Sequence, residues 1–348
     1  MRPIGDQHPC FLTFEAGPTH DGLETAKRLA DVAAEAGADA IKFQMVDPDR
    51  LVADRKQLFS YQILVDRQSG ALKSVSEPLY DILKRRTLSR SEWIALKKHC
   101  DGLGLAFFAT VAFEDELQLM VELGCHGVKI ASADVNFNQL LRAAARTGMQ
   151  IQLDTGNSSI GEIERAIDVI RAERDVEIVV HHCPSGYPAS AENVNLNVIP
   201  AMKRLFGIPI AYSDHYTGWE MDIAAIALGA NLIEKTITLD RMTPSVEHVM
   251  SLEPDEARRF VKIVRDVERG FGSSRRILSE EQRKARDLVR RSAFLSAPAA
   301  AGTRLKDLPV VFRRPGTGIA PDLFETMGDL SLRRDLPEGS MIQRGDVG

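Results

Sequence analysis

The sequence predicts a mixed α/β chain, a (β/α)8 TIM barrel over residues 1–271 followed by a small β-rich domain over residues 287–348. Two observations lead to the barrel. Eight short β-branched or aromatic runs alternate with amphipathic helical stretches, in the rhythm of this fold and close to its usual ~250 residues. The first run also leads into FEAGPTHDG, which lacks the G-x-G-x-x-G turn that an open, doubly wound sheet usually carries there. A third observation sets off the second domain: after residue 286 the chain turns to short strand-like runs with Pro and Gly punctuation and little helical periodicity.

Taken in order, FLTFEAG (11–17) reads as the first strand. Its helix runs from Gly22 to Gly37, with Ala26, Leu29, Ala33 and Ala36 at helical spacing and Gly37 as the stop. AIKFQ (40–44) is the second strand, and residues 45–88 read as a long irregular excursion over the barrel mouth. Ser89-Arg-Ser-Glu then opens a helix that reaches about Cys100. LAFFAT (105–110), GVKIAS (127–132), QIQLDTG (150–156), EIVVHHC (177–183), IPIAYSDH (208–215) and LIEKTIT (232–238) supply the remaining strands. Helical patterns separate them at EDELQLMVELG, 138–148, 160–173, 193–206 and 219–229, and a last one covers 254–271. Residues 272–286 (SSRRILSEEQRKARD) are polar and charged, the composition of a linker or a surface helix. The remaining ~60 residues are near the lower limit of independent stability, so they are expected to lean on the barrel or on a neighbouring subunit.

Composition narrows the function. Of 348 residues, 44% are hydrophobic and 27% charged, which suits a globular protein with an ample core. The net charge of -5 leaves no basic stripe for nucleic acid and no polybasic surface for a membrane. No apolar run approaches the ~20 residues of a membrane span, and the N-terminus has no signal-like apolar region. The four cysteines, Cys10, Cys100, Cys125 and Cys183, lack C-x-x-C spacing, as expected of reduced thiols in a cytoplasmic enzyme. Cys183 stands apart because it falls in a candidate site loop.

Barrel active sites lie at the C-terminal ends of the strands. The tips here are Glu15, Lys42, Gln44, Thr110, Lys129, Ser132, Asp154, His182, Ser213, Asp214, His215, Lys235 and Thr236. Lys42 and Lys129 each sit inside an apolar run, and a buried ammonium is costly unless paired or functional. Two such lysines at one mouth call for an anion carrying phosphate and carboxylate; the plainer reading is that they pair with Glu15, Asp154 or Glu234. His215, in SDH, lies close to carboxylates that could complete a divalent-metal shell, whereas His20 lies in the first loop.

At these residues the chain resembles the sialic acid (nonulosonic acid) synthase family. FEAGPTHDG resembles that family's E-x-G-x-N-H-x-G, GADAIKFQ its GAD-x-VKFQ, and FFAT followed by FEDE its F-x-ST-P-FD. GVKIASAD, QIQLDTG, HHCPSGYPA with VNLNVIP, IAYSDHYTG, GANLIEKTITLDR and SLEPDE match further family motifs in order. RRPGTGI resembles the signature of the family's C-terminal antifreeze-like (SAF) domain. The resemblance implies condensation of phosphoenolpyruvate (PEP) with an open-chain acetamido-hexose, releasing phosphate. It implies that Lys42, Thr110, Lys129, Ser132 and Ser213 hold PEP and that Asp134 stands where the family has a catalytic or sugar-orienting Glu. Glu15 and His215 join the catalytic set, Gln44 and Asp154 the binding set. Tyr187 would line the sugar site, Glu247 and His248 would lie near metal and sugar, and Arg314 would reach the acetamido group from the partner of a domain-swapped homodimer. A divalent metal, Mn2+ or Mg2+, would be bound in part by His215.

Several positions depart from the family. Thr236 replaces a second histidine ligand, and Asp154 replaces a serine that contacts phosphate. Pro184-Ser185-Gly186 and Thr19 replace further family residues. One expectation is therefore a rebuilt cation site in which Asp154 joins His215. Two alternatives to the synthase are an aldolase using pyruvate or another oxoacid, with Lys129 as Schiff base, and a catalytically silent sugar-binding paralogue.

Overall fold

A computed structural model describes all 348 residues, Met1–Gly348. The strands in chain order are β1 (Phe11–Glu15), β2 (Ala40–Gln44), β3 (Leu58–Asp66), β4 (Ala71–Pro78), β5 (Ala106–Val111) and β6 (Gly127–Ile130). They continue as β7 (Gln150–Asp154), β8 (Ile178–His182), β9 (Ile210–Asp214), β10 (Leu232–Thr236), β11 (Ser292–Leu295) and β12 (Val310–Arg313). Eight parallel strands close into a barrel in the order β1-β10-β9-β8-β7-β6-β5-β2, with β2 pairing back to β1. The chain divides into two units, Met1–Phe271 and Gly272–Gly348.

Local chemistry sets the element ends. Helix Leu23–Ala36 stops at Gly37, whose φ of 82° is left-handed and which donates its N–H back into the last turn. Helices Arg90–Gly102 and Ile160–Glu173 begin with capping boxes, Ser89 with Glu92 and Ser159 with Glu162. Their apolar faces join one large core between helices and barrel, into which β1 sends Leu12 and Phe14.

The opposite faces of the strands fill the barrel. Phe11, Ala40, Phe108, Val179, Ala211 and Leu232 form a separate apolar cluster that serves as its floor. Two residues further along each strand the same face returns, because side chains alternate with a period of two. That step places Thr13, Lys42, Thr110, His181, Ser213 and Glu234 above the floor. The barrel thus grades from apolar to polar toward the strands' C-terminal ends.

The segment expected to be irregular, 45–88, carries structure of its own. β3 and β4 form an antiparallel hairpin from Leu58↔Pro78 inward, and helix Leu79–Lys84 follows. One hairpin face carries Phe59, Tyr61, Ile63 and Val75, partly or fully buried, while Leu58, Ser60, Ser74 and Ser76 on the other are exposed. Tyr61 of the hairpin packs with Ile82 and Val246, which ties the hairpin to the loop holding Glu247.

In the second unit β11 and β12 pair antiparallel, and Ala293, Leu295, Leu305, Ile319, Phe324 and Ile342 are among its buried core. Helix Glu280–Val289 starts at a Ser279 capping box and buries none of its residues. No helix in the chain is long and apolar enough to cross a membrane.

Candidate active site

A cavity of about 250 Å3 opens at the C-terminal ends of the barrel strands. Of the residues singled out in the sequence, Glu15, Lys42, Gln44, Thr110, Ser132, Asp134, Asp154, Tyr187, His215 and Glu247 line it. Lys129 and Ser213 are buried beside it and reach it through hydrogen bonds. Arg314 belongs to the second unit. A larger depression of about 460 Å3 lies at the opposite end of the barrel beside Arg2, Phe11 and His126 and contains none of these groups.

The two lysines converge on one carboxylate. Lys129 Nζ lies 2.6 Å from Glu234 Oε1, and Lys42 Nζ lies 3.3 Å from the same oxygen. Lys42 also pairs with Glu15, whose Oε1 accepts the Gly17 N–H at 2.5 Å. Lys129 also pairs with Asp154 at 3.0 Å and donates to Ser213 Oγ at 3.0 Å. All three acids suggested as structural partners are therefore engaged, yet the cavity above still leaves room for a guest. Three carboxylates face two ammonium groups, so an anion entering the cavity competes with Glu15, Asp154 and Glu234 for the lysines.

The environment treats the two lysines differently. Burial lowers the Lys42 pKa more than Glu234 restores it, leaving it below the usual range. Burial also opposes the Lys129 cation, but Asp154 and Glu234 outweigh it and hold its pKa above the usual range. Burial raises Glu234, while Lys129 and Lys42 pull it down and prevail, so it stays ionised.

His181 was not singled out in the sequence, yet it belongs to this network. It is fully buried, and its Nδ1 lies 2.9 Å from Ser213 Oγ. Burial, reinforced by Lys129, pushes its pKa down to about 3, so the ring is neutral. Alternation along β8 was the available signal: Val179, His181 and Cys183 share one face. His182, read as a strand tip, faces away instead; its ring nitrogen contacts the Val194 carbonyl at 2.6 Å. The same parity corrects Asp214 and Lys235, which face outward and bind each other at 2.5 Å. Lys235 also donates to the Tyr216 carbonyl at 2.6 Å, so this outer pair fixes the turn that carries His215.

Of the other flagged residues, Cys183 lines the cavity, but burial, with Asp154 adding to it, raises its pKa well above normal and keeps it a thiol. Burial also raises the pKa of Asp134. His20 is buried edge-on to Phe43 with neither ring nitrogen bonded. His248 is buried with Nδ1 2.7 Å from Thr238 Oγ1. Thr19 donates to the Ile237 carbonyl at 2.7 Å, a structural use of its hydroxyl.

The donor set does not fit a resident divalent cation. Asp154 and His215, expected to share a cation, are not brought together as a metal-holding group: Asp154 Oδ2 pairs with Lys129 at 3.0 Å, and its Oδ1 is buried without a partner. His215 places Nδ1 3.1 Å from the Pro184 carbonyl and packs against Tyr187 at 4.7 Å between ring centroids, the rings tilted by 40°. Nowhere do three His, Cys, Asp or Glu side chains come together as a metal-holding group.

Comparison with known proteins fits this arrangement. The sequence model of the NeuB family matches residues 29–276. The chain is 32% identical to the N,N'-diacetyllegionaminic acid synthase of Legionella pneumophila, covering 98% of this chain and 96% of that one. It is 31% identical to the N-acetylneuraminate-9-phosphate synthase of Homo sapiens, covering 94% and 90%. Among solved structures, the N-acetylneuraminic acid synthetase of Leptospira borgpetersenii superposes with a TM-score of 0.70 at 30% identity, covering 81% of this chain and 92% of that one.

Proposed function

Because the chain belongs to the NeuB family, we propose that it joins PEP to an open-chain acetamido-hexose, giving a nonulosonic acid and inorganic phosphate. The observation that carries this reading is the convergence of Lys42 and Lys129 on Glu234 directly beside a cavity at the strand ends. Carbon 3 of PEP attacks the aldehyde carbon, water adds to carbon 2, and the tetrahedral intermediate collapses to a ketone as the carbon–oxygen bond to phosphate breaks. Lys42 and Lys129 hold the phosphate and carboxylate in a partly dehydrated site, where cations act strongly. Thr110, Ser132 and Ser213 add hydroxyl donors, Gln44 adds an amide donor, Glu15 steadies the Lys42 ammonium, and Asp134, Tyr187 and Glu247 orient the sugar. Holding both reactants in one cavity turns a bimolecular encounter into a local step.

The small second unit acts in this reading as an antifreeze-like cap that brings Arg314 to the acetamido group of a partner subunit's site. Its guanidinium fork suits that amide oxygen. Support for a swapped homodimer comes from helix Glu280–Val289, which buries no residue and leaves Leu288 69% exposed. Cytoplasmic location is the compartment where PEP-dependent synthesis and unpaired thiols are both expected.

One observation favours a second reading. Asp154 stands 3.0 Å from Lys129, where a phosphate would be repelled, and that suits an oxoacid without phosphate. Phosphate release is the test: full-length protein is incubated with PEP and a panel of mono- and diacetamido-hexoses, and phosphate and 2-keto acid are measured. Stoichiometric formation of both supports the synthase. Borohydride trapping of pyruvate on a lysine, with no phosphate released, replaces it with the aldolase; silence in both assays leaves a sugar-binding protein.

A further inference from the structure

Family resemblance places His215 in a metal shell, but its surroundings assign it a different task. The Pro184 carbonyl can only accept, so the proton of the neutral ring resides on Nδ1, 3.1 Å away. That leaves the Nε2 lone pair unused by any protein donor, on a ring that lines the cavity. The ring is not free to swing. Tyr187 packs against it at 4.7 Å with the rings tilted, the His215 backbone carbonyl accepts the Ala189 N–H at 2.9 Å, and the outer Asp214–Lys235 pair clamps the turn. The carboxylates at this mouth do not gather around His215 as a metal-holding group, although Asp154 Oδ1 and Glu234 Oε2 have no protein partner and Glu247 lines the same cavity. Glu15 and Glu234 pair with Lys42, Asp154 pairs with Lys129, and β10 ends in the hydroxyl of Thr236, in register with Glu15.

We propose that this site works without a resident divalent cation and that His215 is a base, taking a proton through Nε2 from the water that attacks carbon 2. The step rests on the reaction proposed above and balances within it. When carbon 3 of PEP bonds to the aldehyde carbon, the carbonyl oxygen becomes an alkoxide and carbon 2 becomes electron-poor. Water forms a bond to carbon 2 and passes one proton to Nε2, and Nε2 returns that proton to the alkoxide. The remaining proton of the water leaves its oxygen as the tetrahedral intermediate collapses, and departs with the phosphate. No external acid, base or oxidant is consumed.

Two measurements on the full-length protein test the two halves separately. Electron paramagnetic resonance of Mn2+, titrated into chelator-treated, substrate-free protein, reads the cation site whatever the reaction is. Wild type is expected to show no stoichiometric site, while Thr236→His, which restores a second imidazole, gains one. One tightly held Mn2+ per chain in wild type, lost in His215→Asn, overturns the proposal. In the second measurement, phosphate release from PEP and acetamido-hexose is followed with and without chelator. The expected rates agree within about twofold, and His215→Asn, whose amide can still reach Pro184, loses roughly 10²–10⁴ in kcat with little change in KM for PEP. A loss confined to KM, or stimulation beyond tenfold by Mn2+, refutes the base. If no hexose yields phosphate under any condition, the proposed reaction and the role of His215 both fall, and the resonance result still decides the cation.

Discussion

Removing the Asp154 carboxylate tests the electrostatics of the site most directly. Asp154 lies 3.0 Å from Lys129 and on the cavity wall, so a phosphate drawn to Lys129 meets a like charge. Two unit charges about 4 Å apart at an effective dielectric near 20 interact by roughly 4 kcal/mol. Part of that is already offset by Lys129 itself, and part would be screened by water entering the cavity. A surviving third, about 1.4 kcal/mol, is a factor of ten in affinity. Asp154→Ser is therefore expected to lower the KM for PEP, and the inhibition constant of inorganic phosphate, about tenfold. Lys129 keeps Glu234 at 2.6 Å and Ser213 at 3.0 Å, so the ammonium stays anchored and the fold is retained. The assay is phosphate release against PEP concentration, with phosphate competition read separately by calorimetry. Unchanged or weaker binding of both ligands, in protein whose thermal midpoint matches wild type, would show that Asp154 does not oppose the phosphate.

Three further outcomes follow from the geometry. Lys129→Met leaves Glu234 and Asp154 facing each other without their principal cation, and losing one partner of a buried pair costs roughly 3–5 kcal/mol; chemical denaturation should show that loss together with an inactive enzyme, and near-wild-type stability would contradict the buried network. Gly17→Ala would set its Cβ 2.5 Å from Glu15 Oε1 and 2.8 Å from the Gln44 backbone nitrogen, so a loss of about 1–3 kcal/mol and at least a tenfold fall in activity are expected, against which a fully active variant would count. His20 has a pKa lowered to about 4 by burial and by Arg86, against 6.5 for the unfolded residue. The unfolded chain therefore takes up a proton that the native one refuses, and stability falls as pH drops below 6.5. His20→Leu removes that penalty, so its urea midpoint should gain on wild type by the equivalent of about 1 kcal/mol between pH 7 and 5.5; a constant difference would refute the assignment.

The barrel was legible because its signal is local and repeated. β2 occupies the predicted residues 40–44, and helices Ile160–Glu173 and Pro254–Phe271 have the predicted bounds, since periodicity and capping act over a few neighbouring residues. The β3–β4 hairpin was missed although Phe59, Tyr61 and Ile63 alternate, because the alternation is short and only Tyr61 among the residues of β3 is fully buried. Most of the expected site residues line one cavity, since a strand tip in a barrel has only one place to go.

The sequence by itself therefore determined the fold class, the family and the set of side chains available at the mouth. Which of them face the axis, and which charge neutralises which, only the tertiary structure decided. His181 faces inward and His182 outward by one step of a strand, and Asp154 is claimed by Lys129 and not by His215. The physical reason is distance: a buried charge settles with whichever opposite charge lies nearest in space, and strands far apart in the chain supply that neighbour.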